Sequence, residues 1–421
     1  MTHDTEDSGL KDALKDALIE RFVRYAKIWT TSDPQKTETP TTSGQWDLAR
    51  LLQSELAALG MDAEITEHCY VLARLPSNLP PGAPVPETIG FLAHLDTADD
   101  VSGKDVKPCV VKNYNGEKID LQDGAALDPK TDADLAAAAG KTIIHTDGAT
   151  LLGADDKAGI AAIVCAAEFL LSHDEIKHGP LEIIFTPDEE TAKGLPEFPL
   201  ERVASKVCYT LDGGAGGELE IECFNAYSAE LKFSGRSIHP GSARGALVNA
   251  ALMAASFSAM LPRTESPEAT DGYYGFYCLM NISGNHEEAS VRLIVRDFTR
   301  DGMERRIAAL ENFARAVEAQ FPGGKVTVDA KPSYYNMREK IEARPEALGK
   351  LTEAATKAGI DFSLKPIRGG TDGARLAELG IPAPNIFTGG RNFHSRTEWL
   401  LVEDMLAACR LVIGLAEVWA H

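Results

Sequence analysis

The chain has no C-x-x-C pair, and its cysteines form an odd, scattered set: Cys69, Cys109, Cys165, Cys208, Cys223, Cys278 and Cys409. That pattern excludes a disulfide framework and points to reduced, buried thiols in a cytoplasmic protein. Cations are short: 42 Lys and Arg face 63 Asp and Glu, for a net charge of −21. Such a surface repels phosphate backbones and anionic lipid, which argues against nucleic-acid and membrane partners and suits a site that holds cations. Long apolar runs are missing as well. The longest, Ile160–Leu171, is broken by Glu168 and falls short of the ~20 residues that span a bilayer. No G-x-x-x-x-G-K loop is present to cradle phosphate, and Met1–Leu10 lacks the basic-then-apolar order of a secretory leader. No internal repeat or low-complexity tract interrupts the chain. What remains is an ordinary globular composition, 44% apolar and 25% charged over 421 residues, enough for two or three domains of roughly 100–200 residues.

Leu10, Leu14, Leu18, Phe22 and Tyr25 mark one face of a first helix, and Trp46–Leu59 reads as a second. Between them, Thr30–Gly44 is a Thr-, Ser- and Pro-rich loop. Thr88–His94, Leu181–Thr186 and Val207–Leu211 are short apolar runs of strand length, and Lys157–Ser172 is helical. Strand and helix alternate, which predicts an α/β domain with a mostly parallel sheet flanked by helices. The middle of the chain follows its own pattern: strands at Ala229–Ser234, Val291–Asp297 and Lys325–Asp329, with helices near Ala246–Met260 and Met303–Phe321. The α/β style then resumes and ends in an amphipathic helix, Val402–Trp419. The expectation is a discontinuous catalytic domain, 1–223 with 336–421, interrupted by an inserted smaller α+β domain, 224–335.

Chemistry gathers at predicted strand ends. In Gly90–Thr97, His94 and Asp96 stand two apart, so the acid is placed to orient the imidazole; alone, H-x-D is equally a structural pair. Asp155 and Asp156 in Leu151–Gly159 (LLGADDKAG) open a helix, where capping explains them as readily as ligation does. Asp188, Glu189 and Glu190 follow the strand Leu181–Thr186, and three adjacent acids repel unless a solvated loop or a shared cation relieves them. Asp212, ahead of Gly213, suits a turn. Beyond the carboxyl ends of an open α/β sheet, His94, Asp155, Glu190 and Asp212 converge on one crevice, with His394 arriving from a later strand end. Two imidazoles with several carboxylates, one of them bridging, suit two divalent metals about 3.5–4 Å apart. Mixed nitrogen and oxygen donors favour zinc, with cobalt or manganese as substitutes. The five acids Asp96, Asp155, Glu189, Glu190 and Asp212 nearly balance two dications, as a buried site requires.

LLGADDKAG, Thr186–Glu190 (TPDEE) and Ile367–Gly373 (IRGGTDG), in this order and spacing, resemble the M20 family of di-zinc metallopeptidases, and Ser237–Gly241, Val295–Phe298 and Ser333–Arg338 extend the resemblance over nearly the whole chain. The resemblance implies two Zn2+ per subunit, one held by His94, Asp155 and Asp212 and the other by Asp155, Glu190 and His394. It implies Glu189 as general base, Asp96 as the support of His94, and a cis peptide at Asp155–Asp156. Arg296 and Arg368 match residues that hold a substrate carboxylate, with Asn113 also near the substrate. His239 matches a histidine that crosses to the neighbouring subunit of a homodimer to help bind the oxyanion; by composition it is equally a turn residue before Pro240-Gly241. The implied activity is removal of the N-terminal residue from tripeptides, and the inserted domain becomes a lid and dimerisation element. Two other readings remain: a related M20 amidohydrolase acting as dipeptidase, carboxypeptidase or aminoacylase, and a non-catalytic metal-binding scaffold, against which Glu189 beside Glu190 speaks.

Overall fold

Runs that are apolar along their whole length need cover on both faces, and they form the centre of the fold. The computed structural model describes residues 2–191, 193 and 195–421, with side chains from Lys11 onward, so the predicted role of the Leu10 side chain lies outside the described residues. The chain divides into two compact units: Met1–Ile221 with Glu339–Lys365 and Thr371–His421, and Glu222–Arg338 with Pro366–Gly370.

The first unit carries an eight-stranded sheet in the order Asp62–Ile65, Val71–Leu75, Leu181–Thr186, Ile89–His94, Val207–Gly213, Asn385–Phe387, Glu218–Cys223, Ser363–Ile367. Its middle strands, Leu181–Thr186, Ile89–His94, Val207–Gly213 and Asn385–Phe387, run parallel, so their carboxyl ends share one edge. Every residue of Ile89–His94 and Leu181–Thr186 is buried, as a parallel strand covered on both faces demands. Outside that centre the pairings of Asp62–Ile65 with Val71–Leu75, of Val71–Leu75 with Leu181–Thr186, and of Glu218–Cys223 with Asn385–Phe387 are antiparallel, so the sheet is mixed around a parallel core.

Helix Ala154–Ser172 covers the sheet with Ile160, Ile163 and Val164, and Thr2–Ala26 adds Leu18, Phe22 and Tyr25 to the same core. A Cβ at Gly159 would run into the carbonyl oxygen of Leu211, so glycine lets this helix lie close against the strand that carries Asp212. At its start Asp155 (φ −85°, ψ 105°) and Asp156 (φ −120°, ψ 30°) are not helical, so the regular helix begins near Lys157, where its apolar stretch begins, and the two acids form its lead-in.

The second unit is a four-stranded antiparallel sheet in the order Phe276–Gly284, Glu288–Asp297, Asn225–Ser234, Lys325–Tyr334. Leu231, Phe233, Val291 and Val295 alternate along its strands and pack on Met253, Phe257, Leu310 and Val317 of helices Ala250–Met260 and Arg300–Gln320. Phe276–Gly284 escapes a reading by apolar pattern. It is an edge strand whose last six residues, including Leu279, Met280 and Ile282, are all exposed, so neither face is marked by alternation.

Candidate metal centre

Each parallel strand of the first unit delivers one functional group at its carboxyl end. His94 closes Ile89–His94, Asp212 lies at the end of Val207–Gly213, and Glu189 and Glu190 follow Leu181–Thr186. His394, beyond Asn385–Phe387, and Asp155, on the non-helical lead-in of Ala154–Ser172, complete the group. Asp155 stands in the middle. Its Oδ1 lies 2.8 Å from His94 Nε2 and its Oδ2 3.3 Å from His394 Nε2, so its two oxygens face two different imidazoles. Asp212 Oδ1 is 3.5 Å from His94 Nε2, and Glu190 Oε1 is 3.0 Å from His394 Nε2.

The supports of these groups set their chemistry. His94 Nδ1 lies 3.1 Å from the Asp96 carbonyl oxygen and 3.3 Å from its Oδ1. Donation from Nδ1 turns Nε2 toward Asp155 and Asp212, where it holds a proton that a metal would replace. The fully buried Asp96 carboxylate also accepts the N–H of Glu189 at 3.0 Å and of Glu190 at 3.1 Å. Asp96 therefore holds the backbone of both glutamates as well as the histidine. The Asp155–Asp156 peptide is cis.

The cluster is short of positive charge. Burial opposes a charged His94, but Asp155, Asp212 and Asp96 outweigh it and hold the ring well above the usual imidazole range. Asp155 and Glu190 push His394 up to about 11. Burial and then Asp155 lift Glu190 to about 7, and burial lifts Asp212 to about 6. Burial and the Asp212 charge raise Glu189 well above an ordinary carboxylate. Protons are thus held where cations are wanted. Glu190 Oε1 is buried without a hydrogen-bond donor among the described residues; its approach to His394 Nε2 is off hydrogen-bonding geometry. Donor atoms of His94, Asp155 and Glu190, and of His94, Asp156 and Asp212, each fall within 4.8 Å of one another. Imidazole nitrogens and carboxylate oxygens converging in this way fit a pair of divalent cations.

Several residues of the centre were given no role by the sequence, although Asp156, Asp188 and Asp372 lie inside LLGADDKAG, TPDEE and IRGGTDG. Asp156 is fully buried; its Oδ2 accepts the His94 N–H at 3.1 Å, while Oδ1 has no donor among the described residues. Asp188 takes the Thr41 N–H and hydroxyl and the Gln45 side-chain amide, which ties the turn before Glu189 to the loop Thr30–Gly44. Asp372 accepts the Thr186 hydroxyl at 2.5 Å, and the Thr371 hydroxyl reaches Asp212 Oδ2 at 3.3 Å, so IRGGTDG supports the ligands from behind. Glu398, four residues beyond His394, gathers backbone N–H groups from the loop that carries Asp155. An acid following a histidine is the one signal in the sequence that could have drawn notice to it.

The remaining predicted residues lie elsewhere. Asn113 sits on an exposed turn with φ of +53°, and no hydrogen bond of the cluster reaches it. His239, Arg296 and Arg368 belong to the second unit. His239 is exposed, and its Nδ1 accepts the Gly241 N–H at 3.1 Å, which puts the ring proton on Nε2. Arg296 stacks over the Tyr334 ring at 5.2 Å. The Arg368 guanidinium lies over Phe224 and Phe276, and its terminal nitrogens donate to the carbonyl oxygens of Thr270, Gly272 and Tyr274 and to the Thr270 hydroxyl. All four Nη protons are committed there, so a carboxylate could take them only by displacing the 270–274 segment.

Residues 145–418 match the model of peptidase family M20/M25/M40. The chain is 45% identical over 409 residues to a protein of Geobacillus thermodenitrificans named peptidase T, covering 96% of this chain and 99% of that one. A peptidase T of Bacillus licheniformis is 46% identical with the same coverage. Among solved structures, an aminopeptidase of Bacillus cereus superposes with a TM-score of 0.73 at 22% identity, covering 97% of this chain and 99% of that one. A tripeptidase of Staphylococcus aureus gives a TM-score of 0.74 at 20% identity, covering 96% and 98%. These structural likenesses concern the fold.

Proposed function

The chain belongs to peptidase family M20, and from that premise we propose that it is a metallo-aminopeptidase that removes the N-terminal residue of tripeptides. The observation that carries the reading is Asp155 set between His94 and His394, with the backbone N–H of Glu189 held by Asp96, which also faces His94. We assign His94, Asp155 and Asp212 to one metal and Asp155, Glu190 and His394 to the other, with zinc as the resident ion because imidazole and carboxylate donors suit it. Bound there, two such ions supply the Lewis acidity that makes water a nucleophile near neutral pH.

The chain's own residues do the rest. Glu189 accepts the proton of the attacking water and hands it to the departing amine. Asp96 keeps His94 in its ligating tautomer and Glu189 in place. His239, with its proton on Nε2, is a donor suited to the oxyanion, reaching it from the partner of a homodimer. Arg296 and Arg368 read the substrate carboxylate, Arg368 by exchanging its carbonyl partners, and Asn113 lines the substrate path.

In this reading residues 1–223 and 336–421, without Pro366–Gly370, form the catalytic domain, and 224–335 a lid that also dimerises and that Pro366–Gly370 with Arg368 joins. The exposed apolar edge strand Phe276–Gly284 supports dimerisation, because an unpaired edge is a template for a second copy. Five of the seven cysteines are buried, which supports a cytoplasmic location. No helix among the described residues is long and apolar enough to cross a membrane.

The test is metal content per chain measured together with a panel of di-, tri- and N-acylated peptides. Two metals, with cleavage of tripeptides that have a free N-terminus, is the expected result. Preferential cleavage of N-acylated or dipeptide substrates would move the chain to another M20 activity, and no cleavage by the metal-loaded chain would leave only a scaffold.

A further inference from the structure

Glu398 belongs to neither ligand set and moves no proton in the reaction above, yet it is 2% exposed. Its Oε2 accepts the N–H of Leu152 at 2.6 Å and of Gly153 at 2.9 Å, and its Oε1 the N–H of Ala154 at 2.7 Å and of Asp155 at 3.2 Å. Four consecutive backbone donors thus close on one carboxylate. Gly153, with φ of +77°, supplies the left-handed turn that brings them round. A buried carboxylate is costly unless its oxygens are fully satisfied, and here backbone dipoles do that work. The segment so gripped ends on the residue whose two oxygens face two histidines.

We propose that Glu398 is a positioning residue for the metal bridge: it fixes the backbone of Leu152–Asp155 so that Asp155 presents one oxygen toward each imidazole. The proposal rests on the reading of Asp155 as the bridging ligand. It differs from a general stabilising role in what a substitution should change. Groups outside the ligand set that orient a ligand typically change metal affinity about 10–100-fold when altered, whereas a fold-stabilising group changes the melting temperature alone.

The molecule contains its own control. Glu182 is another buried carboxylate that accepts backbone N–H groups, from Ala204 and Ser205, together with the Ser205 hydroxyl. It sits near the start of Leu181–Thr186, at the end of the strand away from Glu189 and Glu190.

The experiment titrates Co2+ into the metal-free full-length chain and follows visible absorption, alongside thermal unfolding of the same metal-free samples. In Glu398→Gln an amide N–H2 replaces one oxygen and faces two N–H donors, so we expect Co2+ affinity to fall about 10–100-fold with altered bands. Glu182→Gln should lower the melting temperature while binding Co2+ like wild type. Glu398→Asp keeps the charge but is one methylene short; it should fall between, and it decides the question if Glu398→Gln does not fold. Wild-type Co2+ affinity and band shape in a folded Glu398 variant would overturn the proposal. Failure of the wild-type chain to take up two Co2+, or wild-type binding by Asp155→Ala, would instead remove the bridging assignment itself.

Discussion

Two charge clusters, one in each unit, are compensated in opposite ways. In the second, Arg306 packs against Tyr277 and pairs with Asp297 and Glu265, while Arg368 spends its donors on the carbonyls of Thr270, Gly272 and Tyr274. These cations carry their own compensation. In the first unit Asp155, Glu189, Glu190 and Asp212 crowd around two histidines, and the compensation has to come from protons or from ions. Charge satisfied within the chain builds structure; charge left for an outside partner marks a site.

The contrast breaks most sharply at Asp155. Asp155→Ala should lose the second metal and most of the stabilisation that added zinc confers, because its removal separates the two ligand sets. Metal analysis and melting curves with and without zinc check this; two tightly held metals would end the distinction between the units. Glu189→Gln should be nearly as damaging to turnover, roughly 10²–10⁴-fold, while both metals stay bound, since an amide cannot accept a proton but Glu190 still ligates. The same variant, mixed with His239→Ala and allowed to exchange subunits, should recover wild-type turnover at about a quarter of the sites if His239 serves the partner. Exchange shown by mass without recovered activity would confine His239 to its own chain.

Arg306→Ala sharpens the comparison from the other side. It should cost about 1–3 kcal/mol of stability, the worth of hydrogen bonds to charged partners, and leave metal content unchanged. Loss of metal in that variant would mean that the two charge systems are coupled. The smallest effect is expected at Arg368. Arg368→Ala should raise KM several-fold for a free tripeptide and less for its C-terminal amide, which lacks the carboxylate. Equal damage to both substrates would limit Arg368 to holding the 270–274 segment.

The centre was legible to an unequal degree. His94, Glu190, Asp212 and His394 were readable because groups beyond the carboxyl ends of parallel strands collect in one crevice, and Asp155 because it opens the helix that packs against that sheet. The parallel heart of the sheet was readable for a related reason: continuous apolar runs such as Leu181–Thr186 need two covered faces. The supports were not readable. Asp188 and Asp372 sit in quoted motifs and Glu398 in none, but nothing local names their partners, which lie 147, 186 and 243 to 246 residues away in the chain.

Residue chemistry and spacing by themselves thus pointed to which groups meet and to a centre that holds cations, while the reaction came from the resemblance to the M20 family. Only the tertiary structure decided how those groups are held: that Asp96 orders two glutamates as well as a histidine, that Arg368 is occupied, and that Glu398 grips the bridge. Ligands are chosen by element and charge, which a sequence displays directly. Their supports are chosen by where backbone N–H groups are left unpaired after the chain has packed, and that is a property of the fold alone.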